Sequence, residues 1–167
     1  MKILAVEFSS AQRSIAVLQA GEGRAHHALA SAEVVETGPR STRALGMVEE
    51  ALQMARVERE QIECLAIGLG PGSYTGIRAA IALAQGWELA RGVKLLGISS
   101  ADCVAAQAQA DGVCGRVRVV IDAQRGEFYV AGYDMDAASW RLVEPLRLAT
   151  FAETSAKAQD NAVLVGP

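Results

Sequence analysis

The chain has 167 residues, a formal charge of −3 and a pI near 5.4, with 51% hydrophobic and 21% charged residues. That composition belongs to a folded globular protein. It excludes the strongly basic surface that grips phosphate backbones by counterion release, so any dealing with RNA would need a partner to supply the grip. No stretch reaches the roughly eighteen apolar residues of a membrane helix, and the opening MKILAV meets Glu7 too early for a signal-peptide core, which points to the cytoplasm.

The length suits one domain or a compact pair of lobes. Residues 3–6 and 14–18 read as two antiparallel strands joined by the polar FSSAQR turn, and residues 24–35 as a weakly patterned third strand. Gly38 and Pro39 then break the chain. Ser41 or Thr42 caps a helix running to Arg56, in which Leu45, Val48, Leu52 and Ala55 line one face and Glu49, Glu50, Gln53 and Arg56 the other. Met47 and Met54 lie off that stripe and widen the apolar surface, either for a partner or for burial within the lobe. Residues 64–69 form a continuous apolar strand, the pattern of a strand covered on both faces.

Beyond a glycine-rich turn, Ile77, Ala80, Ile81, Ala84 and Trp87 recur at helical spacing until Gly92. Residues 93–98 are a further strand, and Ser99 or Ser100 caps an alanine-rich helix. The glycines at 112 and 115 mark a boundary between a first lobe, 1–111, and a second, 112–167. Past it the opening pattern returns. Residues 117–121 form a strand ending at Asp122 and residues 128–133 a second, so ILAVEFSSAQRSIAVL is answered by RVVIDAQRGEFYVAGY. Residues 140–148 read as a third strand, 151–158 as a short helix and 162–165 as a last strand.

The turn GLGPGSYTGIR, residues 68–78, joins a strand to a helix, and backbone N–H groups at Gly70, Gly72, Ser73, Thr75 and Gly76 could cradle a phosphate or other anion. It is neither a Walker loop nor GxGxxG. The other reading is packing, the glycines giving the turn its φ and letting the helix approach the strand. Glu7 and Asp122 end corresponding strands; they could hold a metal–nucleotide complex across an interlobe cleft, or accept hydrogen bonds in their own turns, the reading preferred for Glu7. His26 and His27 are adjacent on a strand pattern and point to opposite faces, so they build no metal site. Ser73 stands outside any GxSxG elbow, which speaks against a hydrolytic triad. Cys64, Cys103 and Cys114 form no CxxC pattern and read as free thiols in or near the core.

Three segments, ILAVEFSS, GLGPGSYTGIRAAIALAQG and VVIDAQRGEFYVAGY, together resemble the TsaB (YeaZ) family of tRNA threonylcarbamoyladenosine biosynthesis proteins. The resemblance implies an α/β, two-lobed actin/Hsp70/sugar-kinase-like (ASKHA) fold with mixed sheets. It also implies a non-catalytic scaffold for a TsaD-type subunit, which transfers the threonylcarbamoyl group to adenosine 37 of tRNAs reading codons that begin with A. A TsaE-type ATPase joins the pair, and tRNA is met only indirectly. The HxxxH metal site of TsaD is missing from this sequence.

The interface implied is the pair of first-lobe helices, with Leu45, Val48, Leu52, Ile77 and Ile81 on it, and a homodimer could use the same face. No cofactor is expected, weak ATP or ADP binding at Gly70, Gly72, Ser73, Thr75, Gly76 and Asp122 being the open alternative. The competing function is an ATP-binding phosphotransferase-like or glycoprotease-like enzyme. Departures from the family pattern are Glu7–Phe8 where IDTS is usual, Arg40 where a histidine opens the first helix, and Gln124 in DAQRGE where DARRGE is usual. The chain stops before the further helical segment and strands of family members, so the second lobe is expected to be incomplete.

Overall fold

The computed structural model describes residues 1–20, 28–38, 43–157 and 162–167. His26, His27, Arg40, Ser41 and Thr42 lie outside the described residues. The chain divides into two units, residues 1–69 with 73–98, and residues 70–72 with 99–167.

In the first unit, β1 (Lys2–Glu7), β2 (Gln12–Ala20) and β3 (Ala28–Thr37) form an antiparallel meander. Then α1 (Ala44–Ala55), a 3-10 turn (Arg59–Gln61), β4 (Cys64–Gly68), α2 (Tyr74–Arg91) and β5 (Lys94–Ile98) follow. β4 and β5 add in parallel, each after a helical crossover as parallel pairing requires, and the sheet order is β3-β2-β1-β4-β5. Strand alternation sends Leu4, Val6, Ile15, Val17, Leu65 and Ile67 into one core with Met47, Val48, Ala51 and Leu52 of α1 and Ala80 and Ala84 of α2. All five residues of β4 are buried, as a strand covered on both faces requires.

The buried stripe of α1 runs through Met47, Val48, Ala51 and Leu52, not through Leu45 and Ala55. Met47 is therefore a core residue, and Leu45 and Met54 are left exposed at the margins of the stripe. The helix starts after Arg43 and closes on Arg56 in the left-handed conformation, φ 54°, whose N–H returns to Gln53 O and Leu52 O.

The second unit holds α3 (Ser100–Ala110), β6 (Gly115–Gln124), β7 (Glu127–Met135), β8 (Trp140–Thr150), α4 (Phe151–Lys157) and β9 (Val163–Val165), with sheet order β8-β7-β6-β9. Its core joins Val117, Val119 and Ile121 of β6 and Ala131, Tyr133 and Met135 of β7 to Ala101 and Ala105 of α3. The boundary consequently falls after Ile98 and not at 111/112: the small faces of α3 are buried on β6 and β7, which lie after it in the chain. The Tyr133 hydroxyl donates to Asp102 Oδ1 at 2.7 Å, and Trp140 meets the Tyr133 ring edge-on at 5.5 Å.

On the other face of this sheet Arg118 is paired with Glu144 at 3.3 Å. Gly132 is the ladder partner of both residues, and a Cβ there would stand 2.9 Å from Glu144 Cβ, so the missing side chain lets the pair close across the middle strand. Each unit thus carries a three-stranded antiparallel meander, a helix and a fourth strand parallel to the first, which is the repeat seen in the sequence. This doubled unit gives the α/β architecture with two mixed sheets that the family resemblance implies. Among the described residues no helix is long and apolar enough to cross a membrane.

Candidate functional site: the glycine turn and the strand-end carboxylates

β4 ends at Gly68, and the Leu69 N–H donates to Ile98 O at 2.8 Å, carrying the ladder one residue further. Ser73 caps α2: its Oγ accepts the Gly76 N–H at 3.3 Å and its carbonyl accepts the Ile77 N–H at 2.9 Å. The Ser73 N–H in turn donates to Ser9 O at 2.6 Å, tying the helix start to the β1–β2 hairpin. Gly76 is buried, and a Cβ on it would overlap the Phe8 carbonyl oxygen. A Cβ on Gly68 would overlap the Glu7 carboxylate, and one on Gly97 the Leu69 side chain.

In the second unit, Gly70 and Ser100 exchange two hydrogen bonds. The Gly70 N–H donates to Ser100 Oγ at 3.0 Å and the Ser100 N–H to Gly70 O at 2.9 Å. Gly70 and Gly72 hold φ of 85° and 149°, values that residues with a Cβ rarely adopt.

Of the residues predicted to bind an anion, Gly70, Ser73 and Gly76 therefore donate their N–H groups within the protein. Thr75 is exposed in the first turn of α2, and Gly72 is half-buried. The glycines are demanded by two close approaches and by backbone conformation, which gives the packing reading of the turn its physical basis.

The strand-end carboxylates behave alike in the two units. Glu7 Oε1 accepts the Ser9 N–H and Asp122 Oδ1 accepts the Gln124 N–H, each at 2.7 Å and each two residues on. Both fix the bend that follows their strand, as the preferred reading of Glu7 expects. Among the described residues no group of three or more His, Cys, Asp or Glu is placed to hold a metal ion. The Cys64 thiol is buried, and burial pushes it above its usual range with Lys94 opposing. Cys103 is half-buried, and Cys114 is exposed.

The predicted interface residues separate. Leu45 is 66% exposed and available to a partner, whereas Val48 and Leu52 are 2% and 4% exposed and belong to the first unit's own core. Those two were misassigned because an apolar helical stripe has the same spacing whether it faces a partner or the chain's own sheet. Ile77 and Ile81 are half-buried, Ile81 against the core. On and just before α2, the exposed apolar side chains Tyr74, Leu89 and Leu69 lie outside the predicted interface set. Tyr74 carries the Arg78 guanidinium 5.3 Å above its ring. The signal was present: residues 74, 78 and 89 fall off the buried Ala80–Ala84 side of α2.

Comparison with known proteins places this architecture. The family model described as TsaD: tRNA N6-adenosine threonylcarbamoyltransferase matches residues 40–159, which include the glycine turn and Asp122. The tRNA threonylcarbamoyladenosine biosynthesis protein TsaB of Escherichia coli is 35% identical over 136 residues, 81% of this chain and 56% of that protein. TsaB of Haemophilus influenzae is 30% identical over 129 residues, 77% of this chain and 52% of that protein. The chain spans about half the length of these curated relatives. Among solved structures, YeaZ from Pseudomonas aeruginosa superposes with a TM-score of 0.76 at 29% identity, over 89% of this chain and 66% of that one. With a family match over most of its length and relatives of this kind, the chain belongs to the TsaD family, beside its TsaB (YeaZ) members.

Proposed function

We propose that the chain acts in the formation of tRNA threonylcarbamoyladenosine as a non-catalytic, TsaB-type subunit. It pairs with a TsaD-type catalytic subunit and a TsaE-type ATPase in the cytoplasm, meets tRNA only through them, and needs no cofactor of its own. The observation that carries this reading is the engagement of the candidate site with its own backbone. Gly70, Ser73 and Gly76 donate their N–H groups internally, and Glu7 and Asp122 each accept an N–H of their own turn. A turn used in this way sets the start of α2 firmly on the β1–β2 hairpin, and so presents a rigid helix to a partner. Support for the pairing itself comes from the exposed Leu45 and Met54 on α1 and Tyr74 and Leu89 on α2, large apolar side chains a protein interface would cover.

The test is co-elution. The purified chain mixed with its cognate TsaD-type subunit migrates in size-exclusion chromatography as one species, and separate elution at high micromolar concentration contradicts the pairing. Calorimetric titration with magnesium-ATP gives no heat at millimolar nucleotide; saturable heat would favour the enzyme reading.

A further inference from the structure

The bends that follow β1 and β6 are copies of one device used in two ways. In both, the strand-end carboxylate locks the bend by accepting the N–H two residues on. The first bend is taken up by packing: Phe8 and Ser9 are buried, Ser9 O accepts from Ser73, and the Phe8 carbonyl lies against Gly76. The second faces outward, with Asp122, Gln124, Arg125, Gly126 and Glu127 all exposed.

Gln124 and Arg125 nevertheless hold φ of 69° and 58°, two consecutive residues with a Cβ in the left-handed region, and Gly126 follows at 79°. Gln124 pairs with Glu127, so Arg125 and Gly126 are the central residues of a type I′ turn, whose first central position favours Asn, Asp or Gly. The ladder also shifts register between Asp122 and Gln124, a bulge of the kind that re-aims side chains. Exposed side chains return little packing for this strain. No hydrogen bond or ion pair among the described residues engages the Arg125 guanidinium. Strain held at an exposed position without packing gain is a mark of a surface shaped for recognition.

We propose that this hairpin tip docks onto a protein partner, Arg125 taking a surface carboxylate of that partner in its planar fork. Asp122 and Glu127 on either side, and the nine acidic against six basic residues of 99–167, repel a polyanion along its whole length, whereas a single carboxylate held in the Arg125 fork meets the one cationic group of the tip, so the ligand is an isolated protein carboxylate and not an RNA backbone. The hairpin contact rests on the pairing proposed above and adds to it a contact point in the second unit.

The experiment measures the dissociation constant for the cognate TsaD-type subunit, and the melting temperature, for the whole chain and for Arg125→Ala, Arg125→Lys and Arg125→Gly. Glycine relaxes the turn, so Arg125→Gly melts about 2–4 °C higher while binding about tenfold more weakly. Arg125→Ala loses about as much affinity, and Arg125→Lys loses less because it keeps the charge without the fork. If the wild-type chain binds and every variant binds within about twofold of it, the hairpin contact is overturned and the pairing stands. If the wild-type chain does not bind, both fall. A loss confined to affinity for bulk tRNA, with protein affinity intact, also overturns the hairpin contact.

Discussion

The first unit keeps an aliphatic core between its sheet and two helices, with Leu4, Val6, Ile15 and Leu65 against Met47, Val48 and Leu52. The second unit repeats the strand order but inserts polar devices. Arg118 pairs with Glu144 across Gly132 on one face, and Tyr133 bonds Asp102 on the other. The hairpins after the two acidic strand ends diverge in the same sense, one buried against α2 and one exposed and strained. Backbone topology is thus set by strand and turn patterning alone, and the interior chemistry of each copy is free to change once register is fixed. Polar pairs inside a sheet specify geometry strictly, because breaking one leaves a partner stranded.

The largest effect expected from this contrast is at Glu144. Glu144→Ala removes the carboxylate from an arginine only 2% exposed and lowers stability by about 4 kcal/mol, read as a shifted urea midpoint. The double change Arg118→Met with Glu144→Leu restores most of the loss, since an apolar pair removes the desolvation cost.

In the first unit the sensitive point is a glycine. Gly76→Ala drives a Cβ into the Phe8 carbonyl, which is backbone, and costs about 3 kcal/mol, whereas Gly68→Ala meets the Glu7 carboxylate, a side-chain end that can move at the expense of its hydrogen bond from Ser9, and costs about 2 kcal/mol. Equal losses at the two glycines would refute the close-approach account of the turn.

A smaller effect separates the units by pH. Burial first, then the hydrogen bond and charge of Asp102, push the Tyr133 hydroxyl above its ordinary 10.0. Its folded value exceeds its unfolded one, so this stabilisation is fully present below about pH 10 and is lost as pH rises through the folded value. Tyr133→Phe costs about 1 kcal/mol near neutrality and flattens the alkaline loss of stability. Smallest in energy is thiol accessibility: Cys114 reacts rapidly with a thiol-specific disulfide reagent while Cys64 reacts only on unfolding, and fast labelling of both would contradict the burial of β4.

Much of this was legible in the residues. The alternation of ILAVE and SIAVL, the all-apolar run at β4 and the repeat around Asp122 specified β1, β2, β4, β6 and β7, since period-two patterning and turn residues act locally. The domain boundary was not legible, because nothing in the alanine-rich sequence of α3 says which sheet its small face covers. Which face of α1 is exposed was half legible for a related reason: apolar spacing identified α1 as amphipathic, but only tertiary contact distinguishes Leu45, which is exposed, from Val48 and Leu52, which are core. The strain at Gln124 and Arg125 left no sequence signal, as neither residue type announces a positive φ.

The most direct test of the scaffold reading is reconstitution of the modification. Unmodified tRNA, an activated threonylcarbamoyl donor and ATP are incubated with the TsaD-type subunit and the TsaE-type ATPase, with and without this chain, and threonylcarbamoyladenosine is quantified by mass spectrometry of the digested nucleosides. A non-catalytic subunit yields no product alone and a strong gain when added to the other two. Product from the chain by itself, or equal product whether it is present or not, would contradict the account.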